Sequence, residues 1–282
     1  MDASCLAHVL TEDERQRFER DGFLIVEDAL PPAMLKQLLS ATDRVDAETR
    51  ARDGLGPTER VNLLDFIGRD DIFLELLDWP LTFPKVWGIL GWHIQLYHSH
   101  LVVSPPRATG GPRNQARFGW HQDSGRLNID IESNPRPRIS LKVGYFLTDT
   151  TVLGRANFYV VPGSHLNNRL DVPNDEGTAP EGALAIQVPA GTAVFFDRRL
   201  WHSATPNYSN VPRKVLFYGY SYRWLRPRDN MTVSHYMDRS DPIRRQLLGA
   251  GSGGLGYTSP SDEDVPLKTW LLELLGEEAV VA

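Results

Sequence analysis

The sequence predicts a mainly β fold, in which a sandwich or barrel core is flanked by helices. Between residues 93 and 224, many short segments alternate apolar and polar side chains or are apolar throughout, and turn residues separate them. Helical patterns are confined to about 11–91 and about 241–276. No linker clearly divides the chain, so we predict a single domain over residues 1–282 whose β core lies at about 93–224.

The first helix is predicted by a capping-box pattern at Thr11 to Glu14, where a hydroxyl and a glutamate can satisfy free backbone N–H groups. The helix should run through about Arg20, because Asp21-Gly22 interrupts it. The short apolar run from Phe23 to Val26 then predicts a buried strand.

A second helix is predicted after Pro31-Pro32, because proline is tolerated in the first turn and apolar side chains follow at helical spacing. It should end near residues 43–46. Residues 50–60 have the composition of a loop. Residues 61–91 carry helical periodicity that two prolines interrupt, so helices are expected there.

The β core is predicted from strand patterns bounded by turns. Residues 139–147 alternate, as expected for a strand that buries one face. The other predicted strands lie at 93–103, 157–161, 185–188, 192–196 and 213–224. In the tail, residues 241–248 and 261–275 are predicted helices.

Composition argues against several functional classes. The 30 basic and 36 acidic side chains give a formal net charge of −6, which argues against a nucleic-acid-binding surface. Cys5 is the only cysteine, so no internal disulfide is expected and a reducing compartment is favoured. The sequence has no apolar run of about 18 residues and no secretory-signal pattern. We therefore expect a cytoplasmic protein without a membrane span; the sequence does not predict its oligomeric state.

The tripeptide His121-Gln122-Asp123 is the first candidate functional motif. In extended backbone, residues two apart point to the same side, so the imidazole and the carboxylate can converge on one metal ion. A histidine from a distant strand would complete a 2-His-1-carboxylate face, which leaves three positions of an octahedral Fe(II) ion open. Taken alone, the tripeptide is more typical of a surface loop with a local His–Asp hydrogen bond.

A second motif lies far downstream, where the apolar run Phe195-Phe196 leads towards His202. Arg213 follows and opens an aromatic strand. A buried guanidinium needs a carboxylate partner, and the distal carboxylate of 2-oxoglutarate would be one. The alternative is a surface arginine at a strand edge, which the neighbouring Lys214 favours.

These motifs together resemble the phytanoyl-CoA dioxygenase family of Fe(II)- and 2-oxoglutarate-dependent oxygenases. The resemblance covers roughly residues 12–230 and rests on the tripeptide at 121–123, the VPGSH segment at 161–165, and His202 and Arg213 in the same order. It implies a double-stranded β-helix core, the cupin-like jelly roll. It also implies that O2 is used, that Arg213 binds the far carboxylate of 2-oxoglutarate, and that Fe(II) is bound by His121, Asp123 and His202.

Two further positions match the family less specifically. His100 matches a place that lines the 2-oxoglutarate pocket, and Tyr145 matches an aromatic that flanks the cosubstrate. A hydrogen-bonded strand histidine and simple core packing are the respective alternatives. The chain departs from the family at Ser104-Pro105-Pro106, where many members have Lys-Pro-Pro. This change could alter how the cosubstrate region is held.

The substrate is expected to lie over the iron and to contact loops around the tripeptide. The adjacent candidates are Phe118, Gln122, Arg126 and Trp201. A cluster of basic residues nearby suggests an anionic substrate, and its alternative interpretation is a solvated loop. The cluster comprises Arg107, Arg113, Arg117 and Arg126.

The resemblance implies a dioxygenase that hydroxylates a small lipid-like or natural-product-like substrate and releases succinate and CO2. Asp123 favours hydroxylation or desaturation over halogenation, because related halogenases replace that carboxylate with a small residue. Two other classes stay open: a cupin-type metal-binding protein that does not use 2-oxoglutarate, and a non-catalytic β-sandwich binding module. Arg213 argues against the first, and the complete set of metal ligands argues against the second. A zinc hydrolase would need a helical general-base motif, which the sequence lacks.

Overall fold

The computed structural model describes residues 1–107, 118–173, 177–251 and 260–280. The strands are β1 (Phe23–Val26), β2 (Val61–Leu64), β3 (Ile94–Ser104), β4 (Ser140–Phe146), β5 (Phe158–Val160), β6 (Leu184–Ile186), β7 (Thr192–Asp197), β8 (His202–Ala204) and β9 (Arg213–Tyr222). The α-helices are α1 (Glu12–Asp21), α2 (Pro32–Asp53), α3 (Asp71–Leu74), α4 (Phe83–Leu90), α5 (Gly125–Asp130), α6 (Pro242–Leu247) and α7 (Pro266–Leu275).

Two antiparallel sheets form the β core. The larger sheet has the strand order β1-β7-β4-β9-β3-β2, and the smaller has the order β6-β5-β8. Phe158 and Ile186 from the smaller sheet share one apolar cluster with Phe196 and Phe217 from the larger. The sheets therefore pack face to face, and the predicted jelly-roll core with flanking helices is confirmed.

Strand β4 shows that the larger sheet has two different faces. Leu141, Val143 and Tyr145 belong to the main core, which the helices cover. Phe146 belongs to the core between the sheets, and Lys142 lines a cavity on that same side. Because side chains alternate along a strand, the odd-numbered residues of β4 contact the helices and the even-numbered residues lie between the sheets.

The helical N-terminal part is attached to the larger sheet by tyrosines of β9. The hydroxyl of Tyr218 donates to the Phe73 carbonyl, and that of Tyr220 donates to the Leu77 carbonyl, both at 2.6 Å. These bonds satisfy buried hydroxyls and carbonyls at the same time, so they fix how the segment around α3 sits on the sheet.

The structure departs from the predicted elements at several places, among them the short helix α5, which lies inside the predicted β core at 93–224. Residues 61–64 form β2, not a helix, because they pair with β3, with Leu63 opposite Leu101. This pairing with a distant strand overrides the local pattern. Helix α2 continues past residues 43–46, because Val45 and Thr49 extend its buried face, and it ends only at Gly54, whose φ is 66°. In the described ranges, no helix is long and apolar enough to cross a bilayer.

Candidate active site

His121, Asp123 and His202 converge at one end of the space between the sheets. Their possible ligand atoms all lie within 4.8 Å of one another. The His121 N–H donates to the His202 carbonyl at 3.1 Å, and the His202 N–H donates to the His121 carbonyl at 3.0 Å. This backbone pair holds the two imidazoles side by side, with ring centroids 4.3 Å apart. The structure thus brings together the three residues that were expected as iron ligands.

Each histidine is oriented by its other ring nitrogen. The Nδ1 of His121 lies 2.7 Å from the Gly119 carbonyl, and the Nδ1 of His202 lies 2.8 Å from the Leu200 carbonyl. Because a carbonyl can only accept, Nδ1 carries a proton in each ring, which leaves Nε2 as the nitrogen that can bind a metal. Burial lowers the pKa of His202 to about 4, so this imidazole is neutral at pH 7, as a metal ligand must be.

Asp123 is positioned through its backbone. Its N–H donates to the Arg198 carbonyl at 2.8 Å, and its own carbonyl accepts from Asn128 Nδ2 at 2.7 Å. Arg198 in turn donates to Asn128 Oδ1 at 2.6 Å. The main chain of Asp123 is therefore fixed without using its carboxylate oxygens, which face the two imidazoles.

Lys142 is a site residue that the sequence reasoning missed. Its side chain is buried, and its ammonium lies 2.9 Å from the carboxylate oxygens of Asp123. Burial alone would raise the pKa of Asp123, but Lys142 and the nearby His202 lower it below its ordinary value. The carboxylate is therefore ionised. Alternation in β4 was the available signal. Leu141 and Val143 point towards the helices, so the side chain of residue 142 points to the other face of the sheet, between the two sheets.

Arg213 is 3% exposed and lines the same cavity of about 420 Å³ as the three possible metal ligands. Its Nε has no hydrogen-bond partner in the described part of the chain. Burial, and to a smaller extent the charge of Arg60, lower the pKa of Arg213 to about 9, so the guanidinium is still charged at pH 7. A buried cation with a free donor fits a carboxylate ligand.

His100 and Tyr145 lie on opposite faces of the larger sheet. His100 lines the cavity of Arg213, and its Nε2 hydrogen-bonds to Asn62 Oδ1. Tyr145 lies in the main core, where its hydroxyl is 2.6 Å from the Thr82 hydroxyl. The expectation that Tyr145 flanks the cosubstrate does not agree with this placement, because residue 145 points towards the helices.

A second cavity, of about 570 Å³, adjoins the first at the metal ligands, and two of the substrate candidates line it: Gln122 and Arg126. The Gln122 amide donates to the carbonyls of Asn167 and Arg199. Arg126 pairs with Asp130 at 2.7 Å. Both side chains therefore already have protein partners.

The other substrate candidates lie beside the cavities. Phe118 stacks on Trp120 with ring centroids 5.5 Å apart, and Trp201 donates to the Asn167 carbonyl at 3.1 Å. Neither is among the residues that line the two cavities. Of the predicted basic cluster, Arg113 and Arg117 lie outside the described residues, and Arg107 lines neither cavity.

Two imidazoles and one carboxylate beside a buried arginine suit Fe(II) and a dicarboxylate cosubstrate. On this fold, the arrangement defines the class of iron- and 2-oxoglutarate-dependent oxygenases. A family model described as "Phytanoyl-CoA dioxygenase (PhyH)" matches residues 18–215. The chain therefore belongs to this family, and the expectations of fold, enzyme class, iron, 2-oxoglutarate and O2 are confirmed.

Several known proteins are similar to this chain. "Ectoine dioxygenase" of Bordetella bronchiseptica is 24% identical over 241 residues, which are 76% of each chain. "Probable alpha-ketoglutarate-dependent hypophosphite dioxygenase" of Stutzerimonas stutzeri is 25% identical over 185 residues, and the match spans 58% of this chain and 59% of the relative. The crystal structure of HygX from Streptomyces hygroscopicus, with nickel and 2-oxoglutarate bound, has a TM-score of 0.60 at 16% identity, covering 78% of this chain and 90% of HygX.

Proposed function

We propose that this protein is a dioxygenase that hydroxylates a small organic substrate, lipid-like or natural-product-like, while converting 2-oxoglutarate to succinate and CO2. One observation carries the proposal: a His-Asp-His cluster and a buried arginine with a free donor line a single cavity. A metal-binding face and a separate buried cation in one cavity suit the two ends of a 2-oxo dicarboxylate.

Each residue of the cavity has a distinct proposed role. His121, Asp123 and His202 would hold Fe(II), which supplies the oxidising chemistry with O2 when bound. Arg213 forms charge-assisted hydrogen bonds to the far carboxylate of 2-oxoglutarate. Burial, followed by the charge of Lys142, lowers the pKa of His100 to about 2, so this residue stays neutral and acts as a hydrogen-bonding side chain.

The walls of the cavity support oxidation chemistry. Phe158, Phe196 and Phe217 line it between the sheets, and apolar walls exclude water and strengthen the charged interactions inside. Asp123 supports hydroxylation over halogenation, because its carboxylate occupies the position that related halogenases leave to a small residue. The relatives named for ectoine and hypophosphite support a small-molecule substrate.

The test compares wild type with His121→Ala and Arg213→Ala. Anaerobic protein is loaded with Fe(II), its affinity for 2-oxoglutarate is measured by calorimetry, and succinate is quantified after oxygen is admitted. We expect wild type to bind 2-oxoglutarate and to form succinate slowly without substrate. The His121 variant should lose succinate formation, and the Arg213 variant should form it only at high 2-oxoglutarate.

Two controls keep this experiment interpretable. Arg15→Ala removes an exposed arginine from α1, away from both cavities, and should behave as wild type. Arg213→Lys keeps a cation at the buried position and should recover part of the 2-oxoglutarate affinity. A wild-type protein that is loaded with Fe(II) but binds no 2-oxoglutarate would refute the proposed function.

A further inference from the structure

The second cavity opens directly onto the metal ligands. It shares His121, Asp123, Lys142 and Arg228 with the cavity of Arg213, and it has the larger volume of the two, about 570 Å³ against about 420 Å³. Because the first cavity holds the proposed cosubstrate site, the second leaves room for a primary substrate next to the same metal ligands.

The two cavities together are strongly cationic. Among the described residues that line them, the only carboxylate belongs to Asp123. The lining cationic side chains are Arg60, Arg126, Lys142, Arg213, Arg226 and Arg228. A bound Fe(II) ion and 2-oxoglutarate would cancel each other in charge, so the positive excess persists in the loaded enzyme.

Of the four cations that line the second cavity, two have an acidic partner among the described residues and two do not. Lys142 pairs with Asp123, and Arg126 pairs with Asp130. In contrast, no carboxylate of the described residues lies within 4.0 Å of the guanidinium of Arg226 or Arg228. Both arginines line the second cavity, and no described acid neutralises them there.

The segment that carries Arg226 and Arg228 is firmly attached to β3. Gln95 Nε2 donates to the Leu225 carbonyl at 2.8 Å, and the Arg228 N–H donates to the Tyr97 carbonyl at 2.8 Å. The backbone of this segment is therefore held against β3 on both sides of Arg226, while the side chains of both arginines are exposed.

Asp229 is the acid nearest to these arginines in sequence, and it is turned away from the cavity. Its carboxylate is buried, where it accepts from the Ser99 hydroxyl at 3.1 Å and lies 3.1 Å from His98 Nδ1. It thus anchors the segment to β3 and is engaged by donors of that strand. Asp229 is not among the residues that line the second cavity, whereas Arg228 is.

We infer that the second cavity binds the primary substrate through a carboxylate, phosphate or phosphonate group held by Arg226 and Arg228. Tyr97, Leu127 and Leu225 line the same cavity and provide apolar contacts for the rest of the molecule. This inference rests on the proposed function, whose substrate it narrows to anionic molecules. It differs from the expectation from sequence, because the arginines concerned follow β9 and do not belong to the cluster at 107–126.

The test uses three probes of similar shape: benzoate, phenylphosphonate and the neutral benzamide. Each is titrated by calorimetry into anaerobic protein that holds Fe(II) and saturating 2-oxoglutarate, which keeps the probes away from Arg213. We expect at least one anion to bind about tenfold tighter than benzamide, because it gains charge-assisted hydrogen bonds. The stronger of the two anions identifies a planar carboxylate or a tetrahedral phosphonate as the preferred group.

Variants locate the binding site. Arg226→Gln and Arg228→Gln should each weaken anion binding by about tenfold and leave the weak binding of benzamide unchanged. Arg15→Gln removes the same charge from exposed α1 and should bind all three probes as wild type does. Thermal unfolding of each variant checks that it is folded.

The result can overturn the inference without touching the proposed function. Anion binding that is no tighter than that of benzamide, including no binding of any probe, overturns it. So does an equal loss in Arg15→Gln and the two cavity variants. The affinity for 2-oxoglutarate, measured first in the same samples, reports separately on the proposed function.

Discussion

Replacement of Lys142 by methionine tests the electrostatic balance of the site. The ammonium of Lys142 lies 2.9 Å from the carboxylate that a metal ion would also use. Lys142 and the metal therefore act on Asp123 as two competing cations. We expect Lys142→Met to weaken the metal-free fold and, at the same time, to strengthen the binding of a divalent metal.

Both effects can be given magnitudes. Removing one partner of a buried ion pair costs about 3–5 kcal/mol, because Asp123 is left as an uncompensated buried charge. A divalent and a monovalent cation on the order of 5 Å apart repel by about 7 kcal/mol at an effective dielectric constant of about 20. Relaxation and screening absorb much of this, so we expect at least about tenfold tighter metal binding, which is about 1.4 kcal/mol.

The chain offers a matched control in Lys85, which is also buried and pairs with Glu14 at 2.7 Å, outside both cavities. Urea unfolding of the metal-free proteins should show that Lys142→Met and Lys85→Met both lose stability. Anaerobic calorimetry with Fe(II) should show tighter binding only for Lys142→Met. Metal affinity in Lys142→Met that is equal to or weaker than in wild type would refute the competition between lysine and metal.

Two further predictions concern residues on either face of the larger sheet. Tyr145→Phe should lower the free energy of unfolding in urea by about 1 kcal/mol, because it removes the hydrogen bond to Thr82, and a large loss of 2-oxoglutarate affinity would contradict its placement in the core. His100 is neutral when folded, with a pKa of about 2 against an ordinary value of 6.5. Since the unfolded chain alone takes up a proton, stability is full above pH 6.5 and should fall by up to about 1.4 kcal/mol per pH unit below it. We expect the free energy of unfolding, measured in urea between pH 5 and pH 7, to depend less steeply on pH in His100→Gln than in wild type. An identical pH dependence would show that His100 is not the cause.

The sequence predicted those strands whose own residues show a strand pattern. Strand β4 lies within the predicted 139–147, and β9 begins at Arg213 as predicted. Residues 139–147 alternate and the segment after Arg213 is rich in aromatic side chains, so both strands were visible in the sequence, although the structure buries both faces of each. Strand β2 was missed because its extended form depends on pairing with β3. The sequence of residues 61–64 alone contains no information about that partner.

The site was predictable where the chemistry requires particular residue types. Histidine and aspartate at 121 and 123 carry their own signal, because metal ligands come from a short list of side chains. Arg226 and Arg228 carry no such signal, since arginine is common on surfaces and only the tertiary structure places these two at the second cavity. Lys142 carried a weaker signal, the alternation of side chains in β4. Tyr145 was misplaced for a related reason: a match to a family position does not report which face of a strand the side chain occupies.

The charge of the cavities also shows what composition can and cannot exclude. A chain with a formal net charge of −6 places six cationic side chains along the two cavities, and among the described lining residues the only carboxylate is that of Asp123, itself one of the expected ligands. Field lines are focused in a cleft with apolar walls, so the charges that line it determine which ligands it attracts, and the distant acidic groups are screened by solvent. The net charge therefore gives no information about the sign of a small substrate. We infer that sign from Arg226 and Arg228, which have no acidic partner in the described residues, and from the positive excess that remains because bound metal and cosubstrate would cancel only each other's charge.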